Sequence, residues 1–356
     1  MNNIELKINL KKENFLLNVN LVLPGEGITA IFGESGSGKT SILRCISGLE
    51  KNDNCKISVN KVIWQNEKIW VPTHKREIGY VTQESSLFPH LSIENNLKFV
   101  LKRINGNDQN FLNYLLDLLG IRGLLKRFPE SLSGGEKQRI AIARALVSKP
   151  KLILMDEPLA SLDIKRKKEI YPLLDRLNNE LKIPILFVTH SIDEVIRLAN
   201  HIVIINDGKL VSNGSFTDSY TQENFFQKYG QIQETILDVK IGEIDQRWNL
   251  TRYDFSGGSL WGSKSEIVIK KKIRLKIHAK DISIVKEQPK KTTIQNILQG
   301  KIKSILNDDE KGFALVKILI GKNIFLARVT SKSLFEINLK IDDEVWIQIK
   351  SVAIED

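Results

Sequence analysis

The chain of 356 residues is longer than one average domain and suits two or three. Its 42% hydrophobic and 27% charged residues lie near globular norms, which excludes wholesale disorder, and no apolar run approaches the ~20 residues that cross a bilayer. The net charge of +11 admits nucleic acid, an anionic membrane surface or an anionic ligand, but aromatics are only 7% and no basic stripe interleaves with them, so a nucleic-acid partner is not expected.

The segment Met1 to Lys7 alternates apolar and polar residues around Glu5, and reads as a first strand rather than a basic, apolar export signal. Ile28–Phe32, Leu152–Met155 and Ile185–Val188 are short, continuous apolar runs. Such runs suit strands buried on both faces of a parallel sheet. After Asp163, a candidate N-cap, Ile170, Leu173, Leu174, Leu177 and Leu181 fall at helical spacings. This alternation predicts an α/β layered domain to about residue 229. Within it, Ile202–Asn206, Asp207-Gly208 and Lys209–Val211 read as a hairpin with a primed turn. The two cysteines, Cys45 and Cys55, form no CxxC pair, so neither a disulfide framework nor a zinc site is expected, as suits a reducing cytoplasm. The basic runs Lys165–Lys168 and Lys270–Lys272 read as solvated faces.

From about residue 232 short strand-like runs dominate: Ile267–Ile269, Ile282–Val285, Ala314–Ile320, Ile324–Val329 and Val345–Ile349. Turn signals such as Asn307–Gly312 and Gly321–Asn323 separate them, which predicts a mostly β region closing as a small barrel. Gln288–Lys291 reads as a link between two parts of it.

Three motifs carry chemistry. Gly33-Glu34-Ser35-Gly36-Ser37-Gly38-Lys39-Thr40, followed by Ser41, matches GxxxxGK[ST] between a buried-type strand and a helix stopped by Gly48. Its glycines let successive N–H groups face one phosphate chain, the helix N-terminus adds a positive dipole end, Lys39 can reach the β- and γ-phosphates, and the Thr40 hydroxyl can ligate Mg²⁺. Second, the strand Leu152–Met155 delivers Asp156 and Glu157 to its C-terminal edge, Asp156 for Mg²⁺ and Glu157 as general base for water. Alone, such a pair is more often a solvated strand end, and the phosphate loop reverses that reading. Third, Leu132-Ser133-Gly134-Gly135 opens a helix and offers a second anion-ready N-terminus, of use to a neighbouring copy arranged head-to-tail.

With Gln83, Ser161-Leu162-Asp163 and His190 in this order, residues 1 to 229 resemble the ATP-binding cassette ATPases, a P-loop α/β fold. The resemblance implies that Gln83 touches Mg²⁺ and senses the γ-phosphate. It implies that Asp163, like Ser133, Gly134 and Gly135, acts across a homodimer seam, and that His190 contacts the γ-phosphate. It also implies that Ser86–His90 docks a permease helix. Catalysis would then rest on Glu157, His190 and Lys39, with ATP held by Gly33 to Ser41 and Mg²⁺ by Thr40, Gln83 and Asp156. The aromatic that stacks on adenine in this family has no obvious match; Phe15 is the nearest, and reads equally as a buried strand residue.

Leu23–Gly33 and Leu159–Lys167 further resemble the ATPases of molybdate importers. Residues 291–356 resemble an OB-like Mop/TOBE barrel, entered at Thr292-Thr293-Ile294-Gln295-Asn296 and closed at Ile349-Lys350-Ser351, with 230–290 as a β-rich connector. This likeness implies an oxyanion held by Thr292, Thr293 and Lys350, with Gln295 standing where the family pattern has arginine. The expected role is ATP-driven uptake of molybdate or tungstate from the cytoplasmic face of the membrane, through integral-membrane permease subunits fed by a periplasmic or surface oxyanion-binding protein. Importers of sulfate, iron, polyamine or sugar share such C-terminal β-domains, and molybdate binding against sulfate binding separates them. A non-transport cassette acting on DNA or ribosomes is disfavoured, because neither tandem cassettes nor long coiled coils are visible.

Overall fold

The computed structural model of the chain describes residues 3–12, 15–103, 108–215, 234–263, 273–308, 312–350 and 352–354. It forms two compact units, Met1–Ser219 and Tyr220–Asp356. The expected boundary at 229/230, the strand expected at Ile267–Ile269, the run Lys270–Lys272 and Ser351 lie outside the described residues.

The first unit runs β1 (Asn3–Lys12), β2 (Phe15–Pro24), β3 (Ile28–Phe32), α1 (Lys39–Ser47), β4 (Cys55–Val59), β5 (Val62–Gln65), β6 (Ile78–Val81), α2 (Ile93–Arg103), α3 (Gln109–Leu118), α4 (Gly134–Leu146), β7 (Leu152–Asp156), α5 (Ile164–Leu181), β8 (Ile185–Thr189), α6 (Ile192–Leu198), β9 (His201–Asn206) and β10 (Lys209–Ser215). Among the described residues these strands make one ten-stranded sheet, ordered β5-β4-β1-β2-β10-β9-β3-β8-β7-β6. From β9 to β6 all neighbours are parallel. The apolar runs follow from this placement. Every residue of β3 and β8 is buried. Alternate residues serve opposite faces: Ile153, Met155 and Phe187 pack with the helices α2 to α5, whereas Leu152, Leu154 and Val188 pack with α1, β1 and β2. By contrast, β1 buries Ile4, Leu6, Ile8 and Leu10 and exposes Glu5, Lys7 and Asn9, the alternation of a strand with one wet face.

Parallel strands send their C-terminal ends to one edge of a sheet. The segments leaving β3, β6, β7 and β8 carry Gly33–Gly38 with the α1 start at Lys39 and Thr40, then Gln83, Glu157 and His190, so topology alone gathers them. The β9–β10 hairpin props this edge. Asp207 and Gly208 have φ of 46° and 69°, the two left-handed residues of a type I′ turn. The Gly208 N–H donates to Ser37 O of the phosphate loop (3.1 Å), and its carbonyl accepts from Asn18 N (2.8 Å).

The second unit contains β11 (Glu234–Asp245), β12 (Leu250–Phe255), β13 (Gly258–Ser263), β14 (Ile273–His278), β15 (Ile282–Val285), β16 (Asn296–Asp308), β17 (Phe313–Ile320), β18 (Asn323–Thr330), α7 (Ser331–Ile337), β19 (Glu344–Ile349) and β20 (Ala353–Ile354). Among the described residues two five-stranded sheets result, ordered β13-β12-β11-β14-β20 and β15-β19-β16-β17-β18. β16 pairs with β19 through Asn296–Lys301 and with β17 beyond it, and bulges between Ile302 and Ser304. Such a switch of partner turns a sheet toward a barrel. Leu237, Tyr253, Leu260 and Leu275 of one sheet share a core with Ile302, Val316, Phe325 and Ile347 of the other. β14 pairs with β20 and β15 with β19, so the stretches 230–290 and 291–356 pack as one body.

A Cβ on Gly208 would lie 2.0 Å from Leu16 O, at a φ that side chains disfavour. Gly208→Ala is therefore expected to lower the unfolding free energy by more than about 2 kcal/mol, read from urea denaturation of the nucleotide-free protein.

Candidate active site

The phosphate loop leaves β3 and enters α1 at Gly38, whose φ of 103° and close neighbours admit no side chain: a Cβ there would stand 2.8 Å from Phe15 Cζ. Phe15 thus packs on the loop and, half-buried, lies against the core behind it. Glu34, Ser35 and Gly36 are exposed at the tip, whereas Ser37 and Lys39 are buried. α1 begins without a side-chain cap and without an acid in its first turn, which leaves its N–H groups for an anion. Lys39 Nζ donates to Gly33 O (2.9 Å) and Glu34 O (2.7 Å). Burial lowers the Lys39 pKa, opposed by the charges of Glu157, Asp156 and Glu34.

Asp156 ends β7 within reach of two hydroxyls. Thr40 Oγ1 donates to its Oδ1 (3.0 Å) and Tyr80 Oη to its Oδ2 (3.3 Å). Burial raises the Asp156 pKa, and the Thr40 and Tyr80 hydrogen bonds oppose that rise. The Tyr80 hydroxyl is itself raised, first by burial and then by Asp156. Tyr80 was not singled out by its sequence, where nothing distinguishes it from a half-buried strand aromatic. Glu157 has φ 45°, outside the range usual for a non-glycine residue, and its N–H donates to Val188 O (3.0 Å). Its carboxylate Oε1 stands 3.2 Å from His190 Nδ1. Lys39, Thr40, Asp156, Glu157 and His190 therefore form one cluster.

Gln83 lies just past β6 and is exposed; among the described residues it makes no hydrogen bond to Thr40 or Asp156. The loop that follows it is held by Arg144 of α4, which donates to Ser86 O (2.8 Å) and lies 5.4 Å from the Phe88 ring. Ser133 caps α4: its Oγ accepts from Glu136 N (3.3 Å), and Glu136 Oε2 accepts from Ser133 N (2.8 Å). Asp163 caps α5 by accepting from Arg166 N (2.9 Å). A Cβ on Gly134 would lie 3.2 Å from Leu162, so Ser133–Gly135 and Leu162–Asp163 adjoin as a second patch.

In the second unit Thr292, Thr293, Gln295 and Lys350 are all exposed. Thr292 Oγ1 accepts from Ile294 N (3.1 Å) and from Gln348 Nε2 (3.2 Å). Ile349 pairs with Asn296, which sets Lys350 beside Gln295 in register, at the same end of β16 and β19 as the threonines. Asn296 is buried and clamps Trp261 of β13, accepting from its N–H (2.7 Å) and donating to its carbonyl (2.9 Å).

Removing the cap in Ser133→Ala should cost about 1 kcal/mol of stability by urea denaturation, and Glu136→Ala should add little in that background because the two bonds are reciprocal.

The family models matched are the ABC transporter, over residues 16–160, and the TOBE domain, over residues 292–355. The chain is 46% identical to the molybdenum import ATP-binding protein ModC of Methylococcus capsulatus over 354 residues, 99% of each. It is 42% identical to the protein of the same name from Thiobacillus denitrificans, over 99% of this chain and 97% of the relative. A solved dimeric post-hydrolysis state of an ATP-binding cassette, bound to ADP and Pi, matches with a TM-score of 0.51 at 27% identity, over 60% of this chain and 98% of that one. With an ATP-binding fold in its first unit, a TOBE domain in its second and 46% identity along its length, the chain belongs to the ATP-binding cassette ATPases, among the molybdenum import ATP-binding proteins.

Proposed function

We propose that two copies of the chain, arranged head-to-tail, hydrolyse ATP to drive molybdate or tungstate import through separate integral-membrane permease subunits. The observation that carries this reading is the likeness to molybdenum import proteins over 99% of the chain, C-terminal unit included. An incoming nucleotide would place its phosphates at the N-terminus of α1, and Lys39 would exchange the carbonyls of Gly33 and Glu34 for β- and γ-phosphate oxygens. Thr40 and Asp156 present hard oxygen donors 3.0 Å apart, a pairing that suits Mg²⁺, and with Gln83 they would hold it. When bound, the ion would neutralise charge on the β- and γ-phosphates. Glu157 would accept the proton of the attacking water at its carboxylate, while His190, 3.2 Å away, would orient that carboxylate and meet the γ-phosphate.

Ser133–Gly135 and Asp163 form a patch of their own, and a second copy would offer them to the nucleotide held at Lys39. The solved ADP-bound cassette is likewise dimeric. Among the described residues no helix is long and apolar enough to cross a membrane. A permease helix would find its seat near Ser86–His90, the loop that Arg144 holds. The chain would work at the cytoplasmic face of the membrane, with a periplasmic or surface oxyanion-binding protein delivering substrate to the permease. Thr292, Thr293 and Lys350 would bind the oxyanion through hydroxyls and an ammonium. Gln295 contributes no cation there.

Glu157→Gln is expected to slow ATP turnover by about 100-fold or more, to leave ATP binding intact and to accumulate an ATP-bound dimer in size-exclusion chromatography; normal turnover would remove Glu157 as the base. Calorimetry of the full chain should show molybdate and tungstate binding about tenfold or more tighter than sulfate, a gap of about 1.4 kcal/mol. Equal affinities would overturn the assigned substrate.

A further inference from the structure

Glu194 is an acid that the chemistry above leaves unused, yet its side chain is only 3% exposed. It stands on α6, four residues beyond His190. Its Oε2 accepts from the hydroxyl of Thr189 (2.6 Å), and the same hydroxyl oxygen accepts from Ser191 N (3.0 Å). The residues on both sides of His190 are therefore fixed, directly or through one hydroxyl, by a single carboxylate. Its other oxygen, Oε1, accepts from Lys167 Nζ (2.7 Å). Lys167 lies in the first turn of α5, where its N–H donates to Asp163 O (2.9 Å). A carboxylate withdrawn from water is costly unless both oxygens find donors, and here one donor comes from the His190 loop and the other from the helix that Asp163 caps.

We propose that Glu194 is a positioning residue for ATP hydrolysis: it holds His190 against Glu157 and ties that placement to the N-terminus of α5. A displacement of the Asp163 loop then reaches His190 through one half-buried salt bridge and one hydroxyl, so the geometry of the hydrolytic pair follows the state of the loop. The inference rests on the role proposed above for His190.

The test is a set of double-mutant cycles on the full chain, with residual rates resolved by single-turnover hydrolysis of radiolabelled ATP. Glu194→Gln and Lys167→Met should each lower kcat by about tenfold while KM for ATP stays within about twofold. In a His190→Ala background neither should cost a further factor of more than about two, because the histidine they position is gone. Losses that multiply in that background, or full kcat in either single variant, overturn the proposal while leaving His190 its role. Full turnover by His190→Ala alone overturns the histidine's role, and this inference falls with it. If Glu194→Gln does not fold, Lys167→Met decides alone, since the side chain it alters is 21% exposed.

Discussion

Strands buried on both faces can meet solvent only at their ends, and the first unit is organised by that constraint. β3, β7 and β8 spend their side chains on two cores, so the polar chemistry has to sit in the loops at one edge. The same constraint makes the site electrostatically tense. The Lys39 ammonium and the Asp156 carboxylate are both drawn from water, and each is pushed toward its neutral form by that burial. Their charges offset one another, and a triphosphate with its metal would enter a place already prepared for opposite charges.

Much of this was legible from residue order. Continuous apolar runs marked the parallel strands, Asp207-Gly208 marked the type I′ turn, and Ser133 and Asp163 are caps where the sequence places helix starts. Local signals sufficed because each of these features is decided within a few residues. What stayed hidden depends on partners distant in sequence. Tyr80 acquires its role only because β6 lies beside β7 and brings its hydroxyl to Asp156. Lys167 sits in a basic run read as a solvated face, but the helix turns it inward to Glu194 while Lys165, Arg166 and Lys168 remain exposed.

The C-terminal half shows the same limit at larger scale. Each of its strands carries a local signal, and their pairing carries none. β15 adds to an edge of the sheet that holds β16 to β19, so residues before and after Gln288–Lys291 complete one another. Asn296, which ends the Thr292–Asn296 pattern, spends its amide on the backbone of Trp261. The side chains proposed for an anion, Thr292, Thr293 and Lys350, are exposed ones at a strand end, where water would compete for every donor.

A two-residue hairpin turn on a surface is ordinarily where a chain accepts an epitope tag or a fluorescent insert. Here the tip of β9–β10 carries the peptide that braces Ser37 from behind. Lengthening it would withdraw a strut from the nucleotide cradle without touching any residue of the motif. Reporter sequences belong elsewhere in this molecule.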